Sequence, residues 1–405
     1  MLDNKSTEAY RTIARELAEK FAPRAAEWDE TRAYCWPNVA DLTDAGLMGM
    51  TISKRYGGQG ASYLDACVVI EEIARACTLS SRIVVEANMG GIAAIMAYGS
   101  EDQKAFAADL VLKGDKPAIC ITEPETGSAA TEMRTTARRD GNRYILNGAK
   151  HWITGGGISK LHVIFARVEN EAGKFEGIGA FMVACDPVAG VTPAGFTVTE
   201  RRRTMGLCGM PEAELRFDNL IVEDHMTLVP PSGFKRGFAD LMTAYNSQRV
   251  GAGTVALGVA AGALDHATRY MKERHQFGRP IAEFQGLQWM LAEMDTGVHA
   301  SRLMLHEAAR SQGPRGLPFP DMVMAARAKT FATETAIKVV SDALQIFGAR
   351  GYGEQEPLER MYRDVRMFTI GGGTAQILKT LVAGARLGIK TPQTRDGYTR
   401  LAEKG

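Results

Sequence analysis

The side chains best suited to chemistry in this sequence are most informative for the arrangements they lack. The six cysteines, Cys35, Cys67, Cys77, Cys120, Cys185 and Cys208, form no C-x-x-C pair. Neither a disulfide framework nor a thiolate zinc site is written there, which fits a reducing compartment. The seven histidines include no H-E-x-x-H, and His299 and His306 share a helical stretch at a spacing better explained by coincidence than by a metal. No G-x-S-x-G nucleophile elbow is present. Gly251-Ala252-Gly253-Thr254-Val255-Ala256 matches G-x-G-x-x-A, but a dinucleotide fingerprint needs a preceding strand, and residues 240–249 are helical in pattern. These glycines read as small residues that let helices pack closely. Arg201-Arg202-Arg203 reads as a solvated loop, with too few aromatics nearby to stack on bases. Met290, Met294, Met322 and Met324 read as filling for a helical core. Two features remain: an isolated arginine, Arg82, in a helical stretch, and a turn of consecutive glycines, Gly371-Gly372-Gly373, ahead of Thr374.

The elements that must position these features fall into three textures. Residues 1–118 read as helical: Tyr10, Ile13, Ala14, Leu17 and Phe21 recur on one face until Pro23, and further helices are expected over 39–45, 62–77, 84–98 and 102–112. Trp36-Pro37 and Gly57-Gly58-Gln59-Gly60 are breaks. Residues 119–230 alternate short apolar runs with Gly, Asn and Asp. Asp140-Gly141 reads as a hairpin turn, Asn147-Gly148 as a second turn, and strands are expected over 161–168, 179–184 and 213–217. Many short strands predict a β-barrel. After Pro230-Pro231, residues 231–405 return to long helical patterns over 238–274, 281–311, 320–347, 356–368 and 374–387, punctuated by Pro280, Pro314-Arg315-Gly316 and Gly351-Tyr352-Gly353. Long helices on short connections predict an antiparallel bundle.

Composition narrows the class further. Hydrophobic residues make up 45% and charged residues 23%, ordinary for a globular chain with sizeable cores. A net charge of +1 sets up no global field for nucleic acid or a membrane surface. No apolar run reaches the length of a membrane span, and the N-terminus is charged with no apolar core segment. A cytoplasmic protein is expected, with no nucleic-acid or membrane partner.

Motifs spread along the chain carry a family resemblance. Cys120-Ile121-Thr122-Glu123-Pro124-Glu125-Thr126-Gly127-Ser128, Lys150-His151-Trp152-Ile153-Thr154-Gly155-Gly156, Glu273-Arg274-His275-Gln276-Phe277-Gly278-Arg279-Pro280-Ile281 with Phe284-Gln285, Gln345-Ile346-Phe347-Gly348-Ala349-Arg350-Gly351-Tyr352, and the run from Met367 to Gln376 stand in the order of acyl-CoA dehydrogenase motifs. The chain therefore resembles that superfamily. The resemblance implies a multidomain α and β fold, with an N-terminal helical domain, a middle β-barrel and a C-terminal four-helix bundle. It also implies FAD between barrel and bundle, an acyl-CoA thioester substrate and a homotetramer. Ile121, Thr122 and Thr154 would hydrogen-bond the flavin ring, and Trp152, next to Ile153, would pack on it. Gly127 and Ser128 belong to the same motif, with Ser128 facing the CoA moiety. Arg274 would grip the pyrophosphate of a neighbouring subunit's FAD, and Phe277, Gln285, Gln345, Gly348, Thr374 and Gln376 would complete that site. Two positions depart from the pattern: Ala129 replaces the usual Asp and Ala349 the usual Gly.

The resemblance breaks at the base. Family members take the substrate α-proton with a Glu either just before Gly-Thr or just before an arginine in the bundle. Those places hold Gly372 and Gln248, the latter in Ser247-Gln248-Arg249, and the aromatic residue before the first Glu is Gly371. A positioned base contributes about 10²–10⁴-fold, and an amide is not one; another carboxylate, such as Glu86, would have to reach in. A narrower resemblance lies in Gly114-Asp115-Lys116-Pro117-Ala118-Ile119, Gly155-Gly156-Gly157 with Ser159-Lys160-Leu161-His162, 244–253 and 283–290. It points to the branch of the superfamily that lacks the base and desulfinates 3-sulfinopropionyl-CoA to propanoyl-CoA and sulfite, a redox-neutral hydrolysis. In that branch Arg82 corresponds to the sulfinate-binding arginine. Arg82 and Gln248 are then the expected catalytic residues, and Ser128, Arg249, Gly371 and Gly372 line the substrate site. The alternatives are a dehydrogenase with a displaced base and a non-catalytic flavoprotein that binds acyl-CoA.

Overall fold

The computed structural model describes residues 4–313 and 316–389. Parts of the expected terminal domains (1–3 and 390–405), and Pro314 and Arg315 of the expected break, lie outside the described residues.

Helices lead. α1 (Asn4–Phe21) gives way at Pro23 to a 3-10 turn, as expected, and α2 (Ala25–Thr31) and α3 (Trp36–Asp44) follow. α4 (Tyr63–Ala74) starts at a capping box in which Ser62 and Asp65 satisfy each other's backbone amides. The helix expected over 84–98 is two helices, α5 (Thr78–Met89) and α6 (Gly91–Tyr98), broken at Gly90. A Cβ at Gly90 would lie 3.1 Å from Gln248 Oε1 and 3.3 Å from Glu86 Oε2, so the break makes room for those side chains. α7 (Glu101–Leu112) carries a second capping box, Ser100 with Gln103.

The middle of the chain forms one sheet. Its strands are β1 (Ala118–Cys120), β2 (Thr136–Asp140), β3 (Arg143–Thr154), β4 (Leu161–Glu169), β5 (Phe175–Ala184), β6 (Phe196–Arg202), β7 (Glu212–Glu223) and β8 (Thr227–Leu228). They are ordered β6-β7-β3-β2-β4-β5-β8, with β1 added parallel to β4. The sheet wraps around its own core: Phe196 of β6, Phe217 of β7, Tyr144 of β3 and Phe181 of β5 share one buried cluster. Three expectations are corrected here. Asp140 pairs with Arg143, so the hairpin turn is Gly141-Asn142, not Asp140-Gly141. Asn147-Gly148 is no turn but a bulge within β3; Gly148, at φ +144°, has Thr135 Oγ1 2.6 Å from where a Cβ would stand. Arg201 and Arg202 lie on β6, where Arg202 pairs with Glu214 at 2.6 Å.

The chain then returns to helices. α8 (Gly233–Glu273) runs 41 residues, about 60 Å. It is long and apolar enough to cross a membrane by length and composition, but it is a buried core helix. Its glycines are packing sites, as read from the sequence: a Cβ at Gly251 would lie 2.8 Å from Met89 Sδ, and one at Gly253 would lie 3.2 Å from Lys329 Cα. A short hairpin, β9 (His275–Gln276) and β10 (Arg279–Pro280), leads to α9 (Gln285–Arg310). α10 (Met322–Phe347) is capped by Asp321 and packs on α8 and α9. α11 (Ala349–Tyr352), α12 (Leu358–Val365) and α13 (Ala375–Leu387), the last capped by Thr374, complete the bundle.

Candidate active site

α5 packs against the middle of α8, and their facing side chains make a buried polar cluster. Arg82 and Glu86 stand one turn apart on α5, the i,i+4 spacing that brings side chains together. Arg82 Nη2 meets Glu86 Oε1 at 2.5 Å, with both side chains at most a tenth exposed. From α8, Gln248 Nε2 donates to the same Glu86 oxygen at 2.9 Å. This leaves two orphans: Arg82 Nε and Gln248 Oε1 are buried with no hydrogen-bond partner among the described residues. One is a charged donor and the other an acceptor. A buried polar atom without a partner costs ~1–3 kcal/mol, so the pair describes the complement of something that binds here: an anionic oxygen for Arg82 and a hydroxyl or water for Gln248.

The surroundings are rich in cations. Arg249, one residue past Gln248, donates to Asn246 Oδ1 at 2.7 Å and lies over the Tyr245 ring. Lys329 on α10 is fully buried and donates to the carbonyls of Gly371 and Gly373 at 2.8 and 2.7 Å. It thus holds the glycine turn on either side of Gly372. Burial, helped by Arg249 and Arg82, pushes the Lys329 ammonium down to about 7. Gly372 has φ +73° and nothing within 4 Å of where a Cβ would stand, so open space lies beside the turn. Lys116, just before β1, is also buried; its Nζ has no partner and its pKa is lowered by burial. Opposing these cations are Glu86 and Glu212. Glu212 opens β7 and accepts from Thr154 Oγ1 at 2.8 and 3.1 Å, and burial raises its carboxyl to about 7.

The residues expected around a flavin divide between two places. On the sheet, Ile121 and Thr122 follow β1, and Lys150 Nζ donates to the Ile121 carbonyl at 3.0 Å while its ion pair with Glu123, at 2.8 Å, fixes the loop. Trp152 is held at φ +57°, half exposed and stacked on His151. Ile153 turns its side chain into the sheet's core, and its carbonyl accepts from the Gly156 amide at 2.9 Å. Thr154 spends its hydroxyl proton on Glu212. Gly127 and Ser128 are exposed on the loop beyond β1. At the end of the bundle, Arg274, Phe277, Gln285, Gln345, Gly348 and Gln376 are exposed. Phe277 is 92% exposed at φ +53°, and Arg274 makes no ion pair among the described residues. Thr374 uses its hydroxyl to cap α13. A half-exposed indole on the sheet, and an exposed Arg274 and Phe277 at the end of the bundle, are compatible with the flavin binding that the family resemblance suggests.

The structure brings Arg82 and Gln248 together on Glu86, with Arg249 next to Gln248 in the chain, and it sets Gly371 and Gly372 in the turn held by Lys329. Glu86, Lys329 and Glu212 were not assigned roles from the sequence. Glu86 is the hub of the cluster, and its i,i+4 spacing from Arg82 was the signal available. Lys329 and Glu212 gave no local signal, because their partners lie far away in sequence.

Family models for the acyl-CoA dehydrogenase N-terminal, middle and C-terminal domains match residues 4–115, 118–220 and 235–387. The chain belongs to the acyl-CoA dehydrogenase family. It is 59% identical to a 3-sulfinopropanoyl-CoA desulfinase of Variovorax paradoxus over 96% of both chains. It is 60% identical to one of Cupriavidus necator, over 95% of this chain and 96% of that one. Among solved structures it resembles butyryl-CoA dehydrogenase from Megasphaera elsdenii, with a TM-score of 0.87 and 30% identity over 96% of this chain and 99% of that chain.

Proposed function

We propose that this protein is a 3-sulfinopropanoyl-CoA desulfinase that holds FAD without using it as an oxidant. The observation that carries the reading is the Arg82–Glu86–Gln248 cluster, with its orphaned donor and acceptor, in a site where both expected base positions hold residues without a carboxylate. Arg82, oriented by Glu86, grips the sulfinate through its free Nε edge. Gln248 Oε1 accepts from a water and aims it at sulfur. Arg249 and Lys329 add positive potential, and Gly371 and Gly372 leave room for the acyl chain, with Ser128 toward CoA. The reaction balances as R–CH2–SO2⁻ + H2O → R–CH3 + HSO3⁻. The water oxygen joins sulfur, the C–S bond breaks with its electron pair left on carbon, and carbon takes a proton.

FAD would be held by Ile121, Thr122, Gly127, Trp152, Ile153 and Thr154 of one subunit and by Arg274, Phe277, Gln285, Gln345 and Gly348 of a neighbour, with Thr374 and Gln376 beside it, in a cytoplasmic homotetramer. When bound it would supply an electron sink, which a redox-neutral overall reaction does not require to cycle. The displaced-base alternative is weakened by Glu86, which is already committed to Arg82 and Gln248. The test is sulfite release from 3-sulfinopropanoyl-CoA by the FAD-loaded protein without an electron acceptor, recording the flavin spectrum. Stoichiometric sulfite with an unbleached flavin is expected. No sulfite, with bleaching by saturated acyl-CoAs, would return the protein to the dehydrogenases.

A further inference from the structure

The proposed reaction delivers a proton to carbon, and none of the residues assigned so far supplies it. Arg82 is given to the sulfinate, Gln248 is an amide, and Glu86 holds Arg82 and Gln248 through Oε1. We propose that Glu212 carries the proton to the substrate's C3, and that binding of the anionic acyl head loads it. This rests on the desulfinase reading.

The geometry is a cluster of groups converging from four elements. Glu212 opens β7 in register with Thr154 of β3, whose hydroxyl donates to its carboxylate. Arg82 and Glu86 of α5 act on it from one side, the first favouring its charged form and the second opposing it, and Lys116 before β1 also favours charge. Tyr245 of α8 feels the same carboxyl. Arg202, across from Glu212 on β6, is turned away to Glu200 and Glu214. Lys116 Nζ takes the space a Cβ on Gly155 would need, 2.5 Å away, and finds no partner.

Arg82 and Lys116, both buried, are thus set against buried Glu86 and partly buried Glu212. An arriving sulfinate adds a negative charge to this set. An added anion raises the proton affinity of groups near it in a poorly solvated site. Glu212, hydrogen-bonded at the site's edge to Thr154, is the carboxyl placed to respond, beside the Lys329 ammonium. Protonated Glu212 is then the acid. As the C3–S bond breaks, its electron pair takes the Glu212 proton, and the proton released when water becomes the S–OH of hydrogensulfite restores Glu212. Atoms and charge balance without an oxidant or reductant.

The test separates loading from turnover. Succinyl-CoA carries a carboxylate where the substrate carries sulfinate and has no sulfur to lose. Its binding to the FAD-loaded enzyme, measured calorimetrically in buffers of different ionisation heat, should take up about half a proton on Glu212 at pH 7 and more at pH 8, as a group with a pKa of about 7 that rises on binding requires. Lys329, whose ammonium is also pushed down to about 7, would answer the same anion, so the comparison is made in a Lys329→Met background. There Glu212→Gln should bind succinyl-CoA with its flavin spectrum intact but lose the uptake. Its kcat for sulfite release should fall about 100-fold or more, with KM within a few-fold. No uptake by the wild type overturns the proposal, with no variant needed. So does uptake that, in the Lys329→Met background, survives in Glu212→Gln and disappears in Lys116→Met, or a Glu212→Gln enzyme that keeps its kcat. A wild type that takes up the proton but releases no sulfite overturns the desulfinase reading instead.

Discussion

Removing Arg82 has two separable consequences, and comparing them tests the site's logic. In the free protein, Arg82→Met strips Glu86 of its cation while the carboxylate remains 2% exposed. Breaking a buried pair from one side destabilises by ~3–5 kcal/mol. In the complex the same change removes one or two charge-assisted hydrogen bonds to sulfinate, each worth ~1.5–3 kcal/mol. Two such bonds amount to about 10²–10⁴-fold in kcat/KM. The single variant confuses a folding defect with a chemical one. The double variant Arg82→Met/Glu86→Gln removes both charges, leaves Gln248 a neutral partner, and should recover most of the lost stability, because replacing a whole buried pair by neutral groups is often near neutral. It should not recover sulfite release. The assay is thermal unfolding of the FAD-loaded proteins alongside sulfite release from 3-sulfinopropanoyl-CoA. A double variant as stable as the wild type and releasing sulfite at more than a tenth of its rate would refute the role given to Arg82. A single variant with unchanged stability would refute the role given to Glu86.

Two further outcomes follow from the glycine turn and the lysine beneath it. Gly372→Glu should fold with ~1–2 kcal/mol of backbone strain, because φ +73° disfavours a side chain although the space is open; it should slow sulfite release by about tenfold or more, and a titration with butanoyl-CoA should leave the flavin unbleached, whereas bleaching would mean that the missing Glu is all that separates this site from a dehydrogenase. Lys329 titrates at about 7 in the fold against 10.5 for a free lysine, so the unfolded chain binds the extra proton between those values and stability rises with pH across them; the wild type should therefore gain on Lys329→Met, by up to a few kcal/mol, when urea unfolding is compared at pH 7 and pH 9, and parallel behaviour of the two proteins would overturn the assignment.

What the sequence showed and what it hid divide along one physical line. The order of helices, strands and bundle was legible because periodicity is local, and Gly371, Gly372 and Gln248 were legible because they occupy fixed places within contiguous motifs. Features that depend on contacts distant in sequence were not. Gly90 interrupts a continuous apolar helical pattern with a non-helical backbone, and a Cβ there would crowd Gln248 on another helix. Asn147-Gly148 looks like a turn in isolation, but the pairing of β3 with β7 carries the strand through it as a bulge. Lys329 reads as an ordinary helix residue until the fold sets it beneath the carbonyls of Gly371 and Gly373. Arg82 was recognisable, yet its engagement with Glu86 was not assigned, although the i,i+4 spacing was in plain view.

The missing base and the buried arginine belong to one electrostatic argument. Arg82, Arg249, Lys329 and Lys116 are buried around a site whose opposing carboxyls are Glu86 and Glu212, and burial raises the Glu212 carboxyl to about 7. Such a site is short of negative charge; Lys329 has its pKa lowered by burial first and then by Arg249 and Arg82. A carboxylate at position 372, between the two carbonyls that Lys329 holds, would supply the missing charge from within the protein. It would then compete with any anionic substrate for the same cations. With glycine there the deficit is left for the ligand to fill, so the absence that rules out α-proton abstraction is also what makes the pocket select an acyl chain ending in an anion. Binding and chemistry are then coupled: the charge that draws the sulfinate in also raises the proton affinity of the neighbouring carboxyl that must give a proton to carbon.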